Sequence, residues 1–300
     1  MAFSRPQQAR SIALAEASRI RRHPREVRRC LHARDPYRDF DHTRFPDDRQ
    51  GWHSSSPVFS ELISEVRPRL LIEVGTWKGG SAITMARECL SQGLSTQLVC
   101  DDTWLGAVEF WLNQNDQERY QALALQNGFP SVFYQFLANC CHANLQDRVT
   151  PFPQTSAIAA LWFVLQGFQA QLIYLDASHA YDDVRRDTDA YWDLLEPGGV
   201  MFGDDYLLPD VAQAVNDFAS AREMVVEERK GFWILRRQLV AAESGEWVPS
   251  DEDGHEALKE HRQNKVQQSL RSDRAGRRSR PPDGSESLSW QTQDSREPRC

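Results

Sequence analysis

The 300-residue chain is predicted to be an α/β protein, an open and mostly parallel sheet with helices on both faces and a terminal antiparallel hairpin. Three observations predict it. Residues 70–74 form a short apolar run, interrupted only by Glu73, that reads as a strand buried on both faces. Glycines at 75, 79 and 80 follow it, and helical spacing sets in from Ser81. Short apolar runs then alternate with helical periodicity as far as residue 221, and two final runs flank Arg229-Lys230-Gly231 as a hairpin would.

Composition narrows the class. The chain is 40% hydrophobic and 26% charged, which suits a globular domain, while a mean hydropathy of -0.60 points to polar ends. A formal net charge of -8 gives no support to a nucleic-acid partner. The six cysteines (30, 89, 100, 140, 141 and 300) show no zinc-type spacing, and Cys89 and Cys100 lie in apolar patterns where free thiols are common. A reducing, cytoplasmic setting fits them better than a disulfide framework. No apolar run approaches the roughly 18 residues of a membrane span, so no membrane partner is expected.

Taken in order, residues 1–50 read as a basic, partly helical extension. Residues 1–35 are rich in arginine, with helical spacing over 12–27; a surface helix is the plainer reading, and an organelle-targeting peptide stays open. Residues 35–57 are turn-rich and carry Trp52 and His53, both candidates for substrate contact. A helix is expected over 57–66, leading into the first strand. The main domain is expected over 51–238, and a polar tail over 239–300 buries too little apolar surface to fold.

Residues 97–102 read as the second strand, ending in Asp101-Asp102. A carboxylate there suits the two hydroxyls of a ribose. Asp102 is preferred because it directly precedes Thr103-Trp104-Leu105-Gly106, the loop entering the cleft. Residues 105–147 exceed a usual crossover and are dense in aromatics, so helices with an inserted lid are expected. The third strand is placed at 148–152, and Thr155 and Ser156 either cap the helix that runs to 168 or touch an adenine. The fourth strand is 171–176. A helix over 182–195 is expected to stop at Glu196-Pro197-Gly198-Gly199. The fifth strand is 200–205, a helix follows over 211–221, and the hairpin strands are 223–228 and 232–236.

The turn after the first strand is not the dinucleotide fingerprint, since the second glycine that would touch a pyrophosphate is missing. Glu73-x-Gly75-x-x-x-Gly79-x-Ser81 instead resembles motif I of class I S-adenosylmethionine (SAM) methyltransferases, and the strand–helix order fits the Rossmann-like, seven-stranded sheet of that family. The resemblance implies SAM bound by Glu73, Gly75, Gly79, Ser81 and Asp102, with Thr155 and Ser156 beside the adenine.

Two acidic clusters, Asp176-x-x-His179 and Asp204-Asp205, follow neighbouring strands at the ligand-binding end of such a sheet. Converging carboxylates repel unless one is protonated or a cation sits among them. Hard oxygen donors suit Mg2+, with Mn2+ or Ca2+ as alternatives, and a single histidine disfavours zinc. The set Asp-x-x-His-x-Tyr, Pro-Gly-Gly and Asp-Asp-Tyr resembles metal-dependent O-methyltransferases and the cephalosporin hydroxylase-like group, over about residues 52–237. That likeness implies a metal at Asp176, Asp204 and Asp205 and a base at His179, where catechol-type enzymes carry lysine. The expected function is methyl transfer from SAM to the hydroxyl of a small-molecule acceptor. A hydroxylase or oxidoreductase on the same scaffold and a non-catalytic SAM-binding module remain the alternatives, and homo-oligomerisation is left open.

Overall fold

Seven strands form one sheet in the order β3-β2-β1-β4-β5-β7-β6. They are β1 (Leu70–Val74), β2 (Gln97–Asp102), β3 (Val149–Pro153), β4 (Ala170–Leu175), β5 (Leu195–Gly203), β6 (Glu227–Arg229) and β7 (Phe232–Arg236). The first five run parallel and β7 is antiparallel to β5. This computed structural model describes residues 21–239. The expected disordered tail, and the part of the targeting reading that falls on residues 1–20, lie outside the described residues.

Strand parity sorts the core into two layers, because alternate side chains leave opposite faces of a sheet. Leu71, Leu98, Cys100, Leu172, Tyr174, Val200 and Phe202 share one face. That face is covered by α2 (Pro57–Val66), α3 (Gly80–Ser91) and α5 (Val132–His142) through residues such as Phe59, Met85 and Phe136. Leu70, Ile72, Val99, Ile173, Leu175 and Met201 point the other way. There they meet α1 (Val27–Leu31), α6 (Ser156–Gln166), α7 (Tyr181–Trp192) and α8 (Pro209–Ser220) through Val27, Phe163, Tyr191 and Phe218. Among the described residues no helix is long and apolar enough to cross a membrane.

Several elements depart from the sequence expectation. Of the helix expected over 12–27, residues 12–20 lie outside the described residues; residues 21–23 are not helical, and Pro24 opens a short 3-10 turn capped by His23 before α1 begins. Arg28 in α1 reaches the Thr150 hydroxyl and the Val149 carbonyl, so this part of the extension packs on the sheet. In the long 105–147 crossover only α4 (Val108–Trp111), a 3-10 turn (Gln121–Leu123) and α5 are helical. Its aromatics divide: Phe110 and Phe136 are buried, whereas Trp111, Phe129 and Tyr134 are exposed.

Glu196-Pro197-Gly198-Gly199 does not stop a helix. α7 has already ended at Trp192, and these residues form an outward loop within β5, where pairing jumps from Ala170↔Leu195 to Leu172↔Val200. Of the expected strand 223–228 only its last residues pair. Lys230 (φ 55°) and Gly231 (φ 90°) both adopt left-handed backbone, the geometry of a tight hairpin turn, and this sets Arg229 opposite Phe232.

The turn after β1 is built around two contacts. Gly75 (φ 83°) lies against the start of the loop after β4, and a Cβ placed on it would stand 2.1 Å from the Asp176 carbonyl oxygen. Beneath the turn Glu73 is fully buried and accepts hydrogen bonds from the Ser81 hydroxyl, from Thr76 Oγ1 at 3.1 Å and from the Cys100 thiol at 3.4 Å. Burial outweighs these bonds and raises the Glu73 pKa to about 7.

Two stability predictions follow from these contacts. Gly75→Ala meets backbone that cannot yield, whereas Gly93 (φ 71°) has nothing within 4 Å, so Gly93→Ala carries only the strain of its backbone angle. Denaturant titration should show a loss of about 1 kcal/mol for Gly93→Ala and well above about 2 kcal/mol for Gly75→Ala; equal losses would mean that the strands part easily. Glu73 has a folded-state pKa of about 7 against an ordinary 4.5, so its contribution is full below pH 4.5 and is lost as pH rises through 7. Between about pH 5 and 8 the wild type should therefore lose about 2–3 kcal/mol that Glu73→Gln does not lose. Parallel pH curves for the two proteins would place Glu73 outside a desolvated site.

Candidate active site

The chain runs outward from β1 through β2 to β3 and, in the other direction, from β4 to β5. The switch point of the sheet therefore lies between β1 and β4, the position where open α/β sheets bind ligands beyond the carboxyl ends of their strands. The turn from Gly75 to Gly80 closes one side of it. Parity decides between the two acids ending β2. Asp101 turns into the opposite layer and accepts the Tyr191 hydroxyl at 2.7 Å. Asp102 turns to the β1 loop, where Oδ2 accepts the amides of Thr76 and Trp77, each at 2.8 Å, and Oδ1 accepts the amide of Trp104 at 2.7 Å.

The other residues expected to touch SAM have mixed positions. Glu73 and Ser81 bond to each other below the turn, and Gly79 faces the Phe136 ring of α5. They shape the turn from beneath. Thr155 precedes α6 without a capping side-chain bond. The Ser156 hydroxyl donates to Asp187 at 2.6 Å. Trp77 packs against Phe110 with the rings tilted and their centroids 4.5 Å apart, and its indole nitrogen is buried without a partner among the described residues, so one donor stands unsatisfied in the turn itself.

Across the switch point the same parity lines up Tyr174, Asp176, Phe202 and Asp204. The Tyr174 hydroxyl donates to Asp176 at 2.8 Å. His179 Nε2 lies 3.0 Å from Asp205, and His53 Nδ1 lies 2.8 Å from Asp204. Candidate ligating atoms of Asp176, His179 and Asp205 fall within 4.8 Å of one another, as do those of His53, Asp204 and Asp205. The three acids expected as one cluster are thus arranged as two groups joined through Asp205, each with a histidine. Burial, reinforced by neighbouring Asp204, pushes Asp176 well above the usual carboxylate range, and burial also raises Asp204. The hydrogen bond between His179 and Asp205 raises the imidazole and lowers the carboxyl.

His53 comes from a segment that sequence reasoning did not connect to these acids. Residues 46–54 lie across the β1 turn. Lys78 donates to Asp48 at 2.6 Å and to Gln50 at 3.0 Å. The Asn139 side chain donates to the carbonyls of both Asp48 and Lys78, and accepts the Asp48 amide. The sequence carries no local signal for these links, which join residues up to 151 positions apart. Only the polarity of Lys78 and Asn139 inside apolar stretches hinted that they are held by partners.

Residues 72–206 match the family described as "Methyltransferase domain". No curated protein matches the chain by sequence. Among solved structures it is similar to the O-methyltransferase NovP (17% identity, TM-score 0.47, covering 76% of this chain and 99% of that one). It is also similar to an O-methyltransferase from Bacillus cereus in complex with SAH (13%, 0.45, 76% and 97%) and to the O-methyltransferase TomG from Streptomyces achromogenes in complex with SAM (14%, 0.43, 79% and 100%). The segment that matches the methyltransferase family, residues 72–206, spans the β1 turn and both acidic loops.

Proposed function

We propose that the protein transfers a methyl group from SAM to the hydroxyl of a small-molecule acceptor, with a divalent cation, Mg2+ in the simplest case, at Asp176, Asp204 and Asp205. The observation that carries this reading is the His179–Asp205 pair at 3.0 Å, a base with its orienting carboxylate, set across the switch point from Asp102. Oxygen acceptors need a proton removed, and this pair suits that task.

SAM supplies an electrophilic methyl group on a sulfonium. The chain's part is to seat it: Asp102 offers the lone pair left on Oδ1 to a ribose hydroxyl while holding the turn. The unpartnered Trp77 indole donor fits a polar group of the ligand. A bound cation lowers the pKa of a hydroxyl that it contacts, and Asp204 and Asp205, whose ligating atoms lie within 4.8 Å of each other and of His53, would hold one, leaving His179 free as a base. His179 takes the acceptor proton, and Asp205 fixes its ring and stabilises the imidazolium. The rings of Trp77, Phe110 and Trp52 follow one another at 4.5 and 6.1 Å towards His53, an apolar wall suited to a flat acceptor.

Two measurements test this reading. Calorimetry with SAM should show binding weakened by about 1.5–3 kcal/mol, tenfold to a hundredfold, in Asp102→Ala. Unchanged affinity would take Asp102 out of the site. With an acceptor in hand, His179→Ala should keep SAM affinity and slow turnover by about a hundred- to ten-thousandfold. Because Asp205 raises the His179 pKa, the wild-type rate should climb with pH through a midpoint above the ordinary 6.5, and the variant should lack that limb. Exhaustive chelation should abolish turnover and added Mg2+ should restore it. A His179→Ala enzyme at wild-type rate excludes the base, and full activity after chelation excludes the cation.

A further inference from the structure

The acids after β4 and β5 are all oxygen donors, and on their own they would suit magnesium. His53 changes that donor set. Its Nδ1 lies 2.8 Å from Asp204, and the ligating atoms of His53, Asp204 and Asp205 lie within 4.8 Å of one another. Asp204 is almost completely buried, whereas the His53 ring is two-thirds exposed and closes the acidic group from the solvent side. We propose that His53 is a ligand of the cation, so that the site selects a first-row transition ion over magnesium and the bound ion fastens residues 46–54 across the β1 turn. This deepens the cation reading above and rests on it.

The chemistry follows from ligand type. Carboxylates accept magnesium, calcium and manganese alike, whereas an imidazole nitrogen favours the later transition ions and adds little for magnesium. The arrangement also explains why a histidine stands in this segment. Residues 46–54 are already anchored at one end by Lys78–Asp48 and by Asn139. His53 lies beyond that anchor, and its contact with Asp204 is the side-chain link recorded from residues 51–54 to the acidic loops. A cation shared by His53, Asp204 and Asp205 replaces one ion pair with three bonds. The mobility of the segment then depends on the metal.

The test uses the full-length chain stripped of metal, titrated calorimetrically with MnCl2, CoCl2 and MgCl2. In the wild type, manganese and cobalt should bind at least about tenfold more tightly than magnesium. His53→Ala should remove that advantage, weakening cobalt about tenfold or more while magnesium changes less than about threefold. His53→Asp, which keeps a ligand but makes it oxygen, should restore binding without the preference. Hydrogen exchange read by mass spectrometry gives a second signal that does not depend on activity. Manganese should slow amide exchange in residues 47–54 of the wild type and not of His53→Ala. Because the ring is largely exposed, the melting temperature of the metal-free variant reports whether its fold is intact. Equal cobalt affinity in wild type and His53→Ala, or magnesium binding as tightly as cobalt in the wild type, overturns the proposal while leaving a cation at the acids. A wild type that binds none of the three ions overturns both readings.

Discussion

The close approach of two backbones at Gly75 governs the ligand-binding end of this molecule. A side chain there would stand 2.1 Å from the Asp176 carbonyl oxygen, so the loop after β4 and the turn after β1 can meet only over a glycine. The Gly75 amide itself donates to the Asp101 carbonyl and the Asp176 amide to that of Val74, so β2, β1 and β4 are stitched together one residue past their ends. From that point the chain must turn away with left-handed backbone, which Gly75 and Gly79 adopt without penalty and Trp77 adopts at φ 51°. The position of Asp102 relative to Asp176 follows from this crossing, and with it the span across which a methyl donor and an acceptor could face each other.

Strand parity then does the sorting. Glu73, Asp102, Asp176 and Asp204 lie at or just beyond the ends of four neighbouring strands, on the face that carries Leu71, Cys100, Tyr174 and Phe202. Acids gathered in this way repel one another, and the fold relieves each differently. Glu73 is held near neutrality by burial. Asp102 takes three backbone amides. Asp176 receives a tyrosine hydroxyl, Asp204 and Asp205 each receive a histidine. The hydroxyls and thiol around Glu73 are therefore the structural part of the motif, whereas across the switch point the His53 and His179 rings beside the acids face solvent.

How much of this was legible in the sequence depended on the range of the interaction. The central strands were legible because five or six apolar residues flanked by glycine and acid can be buried only one way. The hairpin turn was legible because Lys230-Gly231 accepts left-handed backbone. Glu196-Pro197-Gly198-Gly199 misled, because the same residues that end a helix also form a bulge, and only pairing with β4 tells the two apart. Alternation along β2, rather than loop proximity, is what separates the two acids, sending Asp101 to Tyr191 and Asp102 to the β1 turn. His53 and Lys78 were not legible as partners of Asp204 and Asp48, since no local pattern encodes a contact made across the fold.

One consequence concerns Asp102. Its two oxygens already hold three amides, and two of these belong to the turn on which SAM would rest. A carboxylate in that position cannot serve a ribose independently of the turn, because any shift of its oxygens is felt at Thr76 and Trp77. Trp77 in turn accepts the Trp104 indole N–H at its carbonyl at 2.8 Å and packs against Phe110 of the crossover. Lys78, the next residue, is tied to Asp48 in the segment that also carries His53. The β1 turn, the aromatic rings beside it and the segment over the acidic loops are thus one mechanically linked unit. Under the proposed reading, seating the methyl donor and organising the acceptor side are not separate events, since both draw on the four residues from Gly75 to Lys78.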